Sequence, residues 1–428
     1  MRDVGKLAVL MVTAFVDMVG LLMVLPLLPF YAKALGAGGF IVGLLVSSFA
    51  IAQLIASPFW GRFSDRYGRR PALLIGLTAS AIAYVIFAYA SSLWLLFISR
   101  VVQGAGGGTV SVIQAYVADS VPPEDRAKGL GWLSAATNAG VALGPLLGSL
   151  TMAGGRATPG LVAAGLCLVN IVFAWRYLTE SRDLAEAHAQ PRKPGRSIEA
   201  VLRVVTHAGE PPSRLIWIYA IAIGAFQGVG AILALFLAAR FGVTEKTIGF
   251  FFMYIGVISV VTRAVVLGRA VDYFGEVRLS RIGLIVLTLG LAAMPFMDRV
   301  GASLGSANGA GRGMIFPYLP LAMAVTLLPL GTAFTFPCVT ALLSRVTPSH
   351  ERGLYMGVQQ TFGGMARVVF PILAGFMFDR VVELPFLVSA ALVAGTLYLG
   401  AGMEEFTRQQ DYGLRTADTN PRDAPSGN

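Results

Sequence analysis

Long apolar runs alternate with short polar segments along almost the whole chain. A helix that crosses a bilayer needs about 20 mostly apolar residues, and twelve of the runs predict such spans. They cover residues 7–31, 40–60, 72–91, 94–118, 129–153, 160–178, 215–239, 247–267, 282–297, 317–343, 354–378 and 384–403. The pattern therefore predicts an all-α integral membrane protein with twelve transmembrane helices.

The polar segments divide the chain into two halves. A proline-containing segment of mixed charge follows the sixth run and predicts a cytoplasmic linker, with a short interfacial helix near residues 198–205. A Gly- and Ser-rich insertion at residues 298–313 predicts a flexible outer loop. The predicted order is an N-terminal six-helix half, the linker, a C-terminal six-helix half and a disordered cytoplasmic tail, at residues 1–178, 179–214, 215–403 and 404–428.

Composition supports the membrane class and narrows the chemistry. The chain is 56% hydrophobic and only 13% charged, with a mean hydropathy of +0.71, which excludes an ordinary soluble domain. The formal charge of +10 comes from residues at the ends of apolar runs, so we expect no nucleic-acid partner. The Lys and Arg bias of the connecting segments predicts cytoplasmic termini. Cys167 and Cys338 lie inside apolar runs, and neither a metal site nor a cofactor is expected.

The two halves repeat each other. At an offset of 207 residues, Arg62, Asp65 and Gly68 match Arg269, Asp272 and Gly275. At an offset of 226 residues, the matches are Pro122 with Pro348, Asp125 with Glu351, Arg126 with Arg352, Gly131 with Gly357 and Pro145 with Pro371. This repeat predicts two six-helix halves related by pseudo-two-fold symmetry, with the solute site between them near the midplane.

A polar stretch at residues 61–70 concentrates five charges between the second and third spans. We expect a tight cytoplasmic loop, in which Gly61 and Gly68 supply positive backbone angles. The stretch resembles the signature between the second and third helices of the major facilitator superfamily, matched at Gly61, Asp65, Arg66, Gly68, Arg69 and Arg70. The resemblance implies a gating loop, and Asp119 is placed to clamp its arginines.

Two charged residues lie inside predicted spans of the first half. Asp17 lies near the middle of the first span, where an ionised carboxylate costs several kcal/mol unless it is paired or faces water. It is a candidate for proton coupling, or a neutral acid hydrogen-bonded to a neighbouring helix. Arg100 precedes Gln103, Gly104 and Gly106 as in the superfamily's fourth-helix motif. That resemblance implies a role in proton coupling, and the alternative is a structural pair between helices.

The fifth span carries small residues at four-residue spacing together with a proline, a pattern that favours close helix packing. It resembles the superfamily's antiporter signature at Gly140, Gly144, Pro145 and Gly148, with Ser149 where a further glycine is usual. With the acid of the first span and the prolines that follow it, the chain resembles the drug/proton antiporter branch that includes the tetracycline exporters. The acids that those exporters carry in their third and ninth helices are absent here, which argues against tetracycline itself.

Further polar residues inside the spans are candidates for the solute cavity. These are Gln103, Asn138, Gln227, Gln359 and Arg367. Arg367 lies near the midplane of the eleventh span, where it binds an anionic solute, pairs with an acid such as Asp17, or is solvated in a water-filled cavity. Arg263 lies close to the predicted end of the eighth span, so we expect its side chain to snorkel to the interface.

These features predict a secondary active transporter of the inner membrane that exports or exchanges a small-molecule or ionic solute with protons, by alternating access. No motif for nucleotide hydrolysis or a catalytic metal is present, so an enzyme is not expected. The opening run also resembles magnetosome-associated members of the superfamily, which implies a magnetosome-membrane transporter involved in iron handling. A non-transporting membrane scaffold is the remaining alternative, and the oligomeric state is left open.

Overall fold

The computed structural model describes residues 2–107, 109–122, 125–180, 197–307, 319–348 and 351–401, in which the regular elements are helices. The first half contains α1 (Arg2–Val24), α2 (Leu28–Ala34), α3 (Gly39–Tyr67), α4 (Arg69–Ala88), α5 (Leu93–Gly106), α6 (Thr109–Ser120), α7 (Arg126–Thr151) and α8 (Thr158–Tyr177). A short helix, α9 (Ser197–Thr206), precedes the second half. That half contains α10 (Pro211–Phe241), α11 (Ile248–Val261), α12 (Leu267–Ala293), α13 (Met297–Ala307), α14 (Leu319–Val346), α15 (Arg352–Arg380) and α16 (Leu384–Leu399).

These helices form the twelve predicted spans. Within the described ranges, ten helical segments are long and apolar enough to cross a membrane. One of them, Ile248–Ser303, has 56 residues, and a helix of that length measures about 84 Å against a hydrocarbon core of about 30 Å. Its backbone is not helical at Gly275, where φ is +73°, so it contains two spans. The shorter apolar helix Leu384–Leu399 completes the twelve.

The two halves pack in the same way. In the first half α1 packs on α7 and α4 on α8, and in the second half α10 packs on α15 and α12 on α16. The halves meet along two seams, one between α3 and α15 and the other between α7 and α11. A two-fold rotation that exchanges the halves exchanges these seams, so the predicted pseudo-two-fold symmetry is confirmed.

Glycine residues bring the backbones into contact at equivalent points of the two seams. A Cβ atom added to Gly43 of α3 would clash with the carbonyl oxygen of Pro371 in α15, and one added to Gly249 of α11 would clash with that of Pro145 in α7. Gly43 and Gly249 are offset by 206 residues and the prolines by 226, which follows the sequence repeat. Small residues permit this close approach of helices.

The polar stretch at residues 61–70 is more helical than predicted. Helix α3 continues to Tyr67 and α4 begins at Arg69, so a single residue, Gly68 with φ +105°, makes the turn. Gly61 lies inside α3 and does not use a positive φ. One residue in this conformation is enough to reverse the chain direction, and the rest of the stretch keeps its helical hydrogen bonds.

Other connecting segments differ in part from prediction. The first residues of the predicted outer loop form α13, and the remainder of that loop, most of the linker and the tail at residues 404–428 lie outside the described residues. A helix is present at the position predicted near residues 198–205, as α9. Ile198, Leu202 and Val205 are exposed on one side of it, whereas Ala200 and Val204 are buried on the other.

Candidate functional site

A cavity of about 670 Å³ lies between the two halves. The described residues of its wall belong to α1, α6 and α7 and, in the second half, to the helix that carries Arg263. The α6 and α7 residues lie near Ser120 and Arg126, at the end of the bundle that carries the Gly68 and Gly275 turns, which we call the loop end. Besides apolar groups, the wall presents two charged side chains, Asp17 and Arg263, and five neutral polar ones, Ser111, Gln114, Ser134, Thr137 and Asn138.

Asp17 reaches the cavity wall from α1 and is otherwise enclosed, with an exposed fraction of 6%. The hydroxyl of Thr109 donates a hydrogen bond of 3.0 Å to its Oδ2 atom. Thr109 is the first residue of α6, just beyond the interruption between α5 and α6. A single neutral partner does not balance a full negative charge in a membrane interior. The arrangement therefore favours a carboxyl group that binds and releases a proton at the cavity.

Arg263 lies deeper in the bundle than the predicted end of the eighth span implied. The helix does not end near Leu267, as the predicted span did, but continues to the Gly275 turn, so Arg263 lies 15 residues after Ile248 and faces the cavity. It belongs to a π-helical turn, Thr262–Val266, a feature that often marks functional sites. The sequence contains a signal for this depth. The charged group that precedes the turn begins only at Arg269, six residues after Arg263.

Arg100 lies in a separate buried cluster at α5. Its exposed fraction is 1%, its Nη2 atom donates to Ser99 Oγ at 3.2 Å, and its guanidinium lies 5.6 Å from the centre of the Phe87 ring. In the described part of the chain its Nε and Nη1 atoms have no hydrogen-bond partner. Gln103 donates to the Tyr84 hydroxyl at 2.8 Å. Gln103 therefore belongs to this cluster rather than to the cavity wall.

Three other residues predicted to line the cavity lie elsewhere. Gln359 is fully buried and accepts a hydrogen bond of 3.4 Å from Thr340. Gln227 is exposed on α10. Arg367 is half-buried and forms no ion pair with Asp17, because α15 packs against α3 and α10 whereas α1 packs against α7 and α8. Asn138 does line the cavity, and its Nδ2 atom donates to the Ser134 carbonyl at 2.7 Å.

A charged cluster centred on Arg69 joins α3, α4 and α6 at the loop end. Arg69 forms ion pairs of 3.0 Å with both Asp65 and Asp119, and its Nη1 donates to Ser64 Oγ at 2.7 Å. The Glu180 carboxylate accepts from the Arg69 and Arg70 backbone N–H groups at 2.9 and 3.1 Å, which suits the N-terminus of α4. The predicted clamp from Asp119 thus reaches Arg69.

The remaining arginines of the stretch have different contacts. Arg66 lies over the Tyr67 ring at 5.5 Å, and Arg70 donates to the Trp175 carbonyl at 2.5 Å. On the facing helix α15, a Cβ atom added to Gly353 or Gly357 would meet no described atom within 4 Å. The side of α15 that carries Gly353 and Gly357 therefore has no described neighbour in this conformation.

Replacing Asp65 with asparagine is expected to slow transport while the protein stays folded. The change removes one carboxylate of the Arg69 cluster, and a partly exposed ion pair contributes only about 0–1 kcal/mol to stability. A similar free energy changes the populations of two conformations about fivefold. The initial transport rate and the melting temperature in detergent would be compared with those of Glu199→Gln, an exposed acid on α9. An unchanged transport rate would remove Asp65 from the gate.

The end of the bundle opposite the loop end is closed by hydrogen bonds between the halves. Asp379 of α15 accepts from the Gly39 and Phe40 N–H groups at 2.6 and 2.8 Å, and so caps the N-terminus of α3. At the other seam, Ser149 of α7 donates to the Glu245 carbonyl and accepts from the Gly249 N–H group, both at 2.8 Å. The departure from glycine at Ser149 therefore provides a contact between the halves.

The signature residues of the fifth span, which lie on α7, pack against two neighbouring helices, α1 and α11. Added Cβ atoms at Gly140 and Gly144 would meet the carbonyl oxygens of Phe15 and Val19 in α1 at 2.7 and 2.8 Å, and one at Gly148 would meet that of Met23. The glycine residues thus hold α7 against α1, next to Asp17. Pro145 and Ser149 instead contact α11 of the other half. One helix therefore links the cavity wall to the seam.

A membrane bundle of two related halves with a charged cavity between them defines the class of secondary active transporters. The sequence pattern of the Major Facilitator Superfamily matches residues 10–327. The chain therefore belongs to this superfamily, as its motifs predicted.

Curated relatives agree with the branch that the motifs indicated. Multidrug resistance protein 2 of Bacillus subtilis is 27% identical over 89% of this chain and 90% of its own length. Tetracycline resistance protein, class B, of Escherichia coli is 26% identical over 86% and 88%. The crystal structure of the nucleoside transporter NupG matches the fold with a TM-score of 0.73 at 12% identity, over 93% of this chain and 98% of that one.

The comparisons also bear on the alternatives. The chain is a multi-pass membrane transporter of small solutes and not an enzyme. The relatives named above are resistance proteins, and they give no support to the magnetosome and iron-handling hypothesis. The non-transporting scaffold likewise has no support among them.

Proposed function

We propose that this protein exports small amphipathic solutes in exchange for protons. The observation that carries the proposal is Asp17, a nearly buried carboxyl group on the wall of a 670 Å³ cavity, held by a single hydroxyl. The cavity wall mixes apolar groups with neutral hydrogen-bonding groups, which suits an amphipathic solute. The similarity to multidrug and tetracycline resistance proteins supports export as the direction.

The charge bias of the connecting segments supports cytoplasmic termini and a cytoplasmic loop end. With that orientation the cavity lies on the cytoplasmic side, and the seams closed by Asp379 and Ser149 lie on the outer side. The conformation is then inward-facing. Closing the loop end and opening the outer seams would move the solute across the membrane.

The motion in this proposal is a rotation of two bodies, residues 1–178 and 215–403, joined by the linker at residues 179–214. The seams carry glycine-to-carbonyl contacts at the outer end, and such contacts either form fully or separate fully. The ion pairs of the Arg69 cluster lie within the first half, and Glu180, at the start of the linker, joins them. The cluster therefore keeps the ends of α3, α4 and α6 together as one unit when the loop end closes.

The position of Asp17, nearly buried on the cavity wall, supports a role in proton coupling. In the inward-facing state the carboxyl group releases its proton to the cytoplasm, and a solute then enters the cavity. In the outward-facing state the solute leaves, and a proton from the outside neutralises Asp17 before the protein returns. Neutralising an acid that moves within the membrane interior lowers the cost of the return step.

Purified protein in liposomes tests this proposal directly. An imposed pH gradient should drive at least one amphipathic solute, such as ethidium or 9-anthracenecarboxylate, against its own gradient, while an internal pH dye records proton movement in the opposite direction. Dissipating the gradient with nigericin should leave only downhill movement. Uptake that is equal with and without the gradient for every solute that moves would exclude proton coupling and leave facilitated diffusion.

A further inference from the structure

We propose that Arg263 is the anion-recognition residue of the cavity, and that the preferred solutes carry a carboxylate on an apolar body. The inference rests on the proposed function, since it names the class of solute that the same cavity binds. Among the described residues of the wall, Arg263 is the cationic one and also the contribution of the second half. A solute held by Arg263 therefore contacts both halves of the protein.

The first support is the state of the guanidinium group. The Nε atom of Arg263 is buried and has no hydrogen-bond partner within the described chain. An unpaired buried donor of this kind is costly, more so when it is charged. A planar guanidinium accommodates a carboxylate through two parallel hydrogen bonds. An anionic solute next to the guanidinium would therefore balance a charge whose Nε donor has no partner in the described chain.

The second support is the depth of Arg263 in the membrane. It lies 15 residues after the first residue of α11 and 12 residues before the Gly275 turn, which is about 18–22 Å from either end at 1.5 Å per residue. Such a depth makes snorkelling to the interface a poor solution. The side chain instead faces a polar cavity, which is where intramembrane charges usually serve function.

The third support is the local backbone. In the π-helical turn Thr262–Val266, the Leu267 N–H group donates to the Thr262 carbonyl, five residues earlier. The wider turn rotates the residues around it relative to a regular α-helix, and it costs regular hydrogen bonding. Thr262 is buried on this turn, while the neighbouring Arg263 lines the cavity. The turn thus places a cation on the wall at the expense of helix regularity.

The other described residues of the wall fit the remainder of such a solute. Met18, Leu130 and Leu133 offer apolar contacts. Ser111, Gln114 and Thr137 offer neutral hydrogen-bonding groups without adding charge. Asp17 is the acidic group of the described wall. In the proposed cycle it is ionised when the solute enters, so the carboxylate of the solute has to be held by Arg263, away from Asp17. The cavity therefore distinguishes solutes chiefly by the group that meets Arg263.

Matched ligand pairs test the inference without any proton gradient. Benzoate, 1-naphthoate and 9-anthracenecarboxylate would each be compared with the corresponding uncharged carboxamide, and dissociation constants would be measured on the purified protein by calorimetry. We expect at least one carboxylate to bind more tightly than its amide to the wild type. Arg263→Gln should weaken that carboxylate by about tenfold or more and change the affinity for the amide less than about twofold.

Two further variants keep the result interpretable. Arg263→Lys retains the charge but loses the planar pair of donors, so it should weaken the carboxylate less than Arg263→Gln does. Arg278→Gln removes a charge from an exposed position just beyond the Gly275 turn and should leave the carboxylate preference unchanged. The inference is overturned if no carboxylate binds better than its amide, or if Arg263→Gln weakens both ligands of a pair equally. If the wild-type protein prefers the carboxylate but shows no transport driven by the pH gradient, the proposed function is overturned and the inference about Arg263 stands.

Discussion

Asp17→Asn should abolish transport driven by a pH gradient and spare exchange of solute for solute. Asparagine cannot bind and release a proton at cavity pH, yet it keeps an oxygen that can accept the Thr109 hydrogen bond. It also resembles a permanently protonated carboxyl group, so both conformations remain accessible. We expect the gradient-dependent rate in proteoliposomes to fall by about a hundredfold, towards that of empty liposomes, because the coupled step is lost rather than weakened.

The exchange measurement separates coupling from binding. Labelled solute trapped inside the liposomes should still leave when unlabelled solute is added outside, at a rate within about threefold of the wild-type protein, since no binding contact is removed. Glu199→Gln serves as the control, because it neutralises an exposed acid on α9 far from the cavity wall. Retention of gradient-driven accumulation by Asp17→Asn would assign proton coupling to another group.

Leucine at Gly43 should prevent closure of the outer seam and stop transport. The new side chain would occupy the space of the Pro371 carbonyl oxygen, which is backbone and cannot move aside. Overpacking costs about 1–3 kcal/mol, and it applies only to the conformation in which α3 and α15 touch. The population of the inward-facing state should therefore fall by about 5- to 150-fold. Gly249→Leu should act in the same way at the seam of α7 and α11.

Thiol accessibility reports this shift independently of activity. A Ser134→Cys variant, in a background without Cys167 and Cys338, places a reactive group on the cavity wall. In inside-out vesicles a membrane-impermeant thiol reagent should label the introduced thiol rapidly in the Ser134→Cys parent. Labelling should be slow once Gly43→Leu is added. Gly165→Leu is the matched control, because a side chain there meets no described atom within 4 Å. Equal labelling rates in all three proteins would show that the seam does not govern access.

The membrane spans could be predicted from the sequence because an apolar run is a local signal. The two-fold symmetry could be predicted because the two halves repeat the same residues. A run of about twenty apolar residues predicts a membrane-spanning helix. An acidic residue inside such a run, as Asp17 is, can be recognised from the sequence alone. The glycine and proline contacts of the seams were partly visible as well, since Gly43 matches Gly249 at nearly the same offset that relates Arg62 to Arg269. What the repeat does not reveal is that these glycines contact those prolines.

The contacts that were missed depend on how separate segments come together. Arg263 was assigned to a helix end because the predicted span stopped too early, and a π-helical turn has no sequence rule of its own. Asp379 caps a helix that begins 340 residues earlier in the chain, which no local pattern encodes. Gln103 and Gln359 are polar residues inside predicted spans, which made them candidates for the cavity wall. In the structure Gln103 is hydrogen-bonded to Tyr84 and Gln359 to Thr340, both within the helix bundle.

Each outer cap holds a helix N-terminus of the other half, but the two caps differ in chemistry. The α3 N-terminus is held by the carboxylate of Asp379 through two hydrogen bonds, whereas the α11 N-terminus is held by the hydroxyl of Ser149. Hydrogen bonds to a charged acceptor are roughly twice as strong as neutral ones. The two seams are thus expected to differ in strength at this end of the bundle. We expect the halves to part first along α7 and α11, with the seam of α3 and α15 acting as the hinge, so that the outer opening is one-sided and the solute leaves past Ser149.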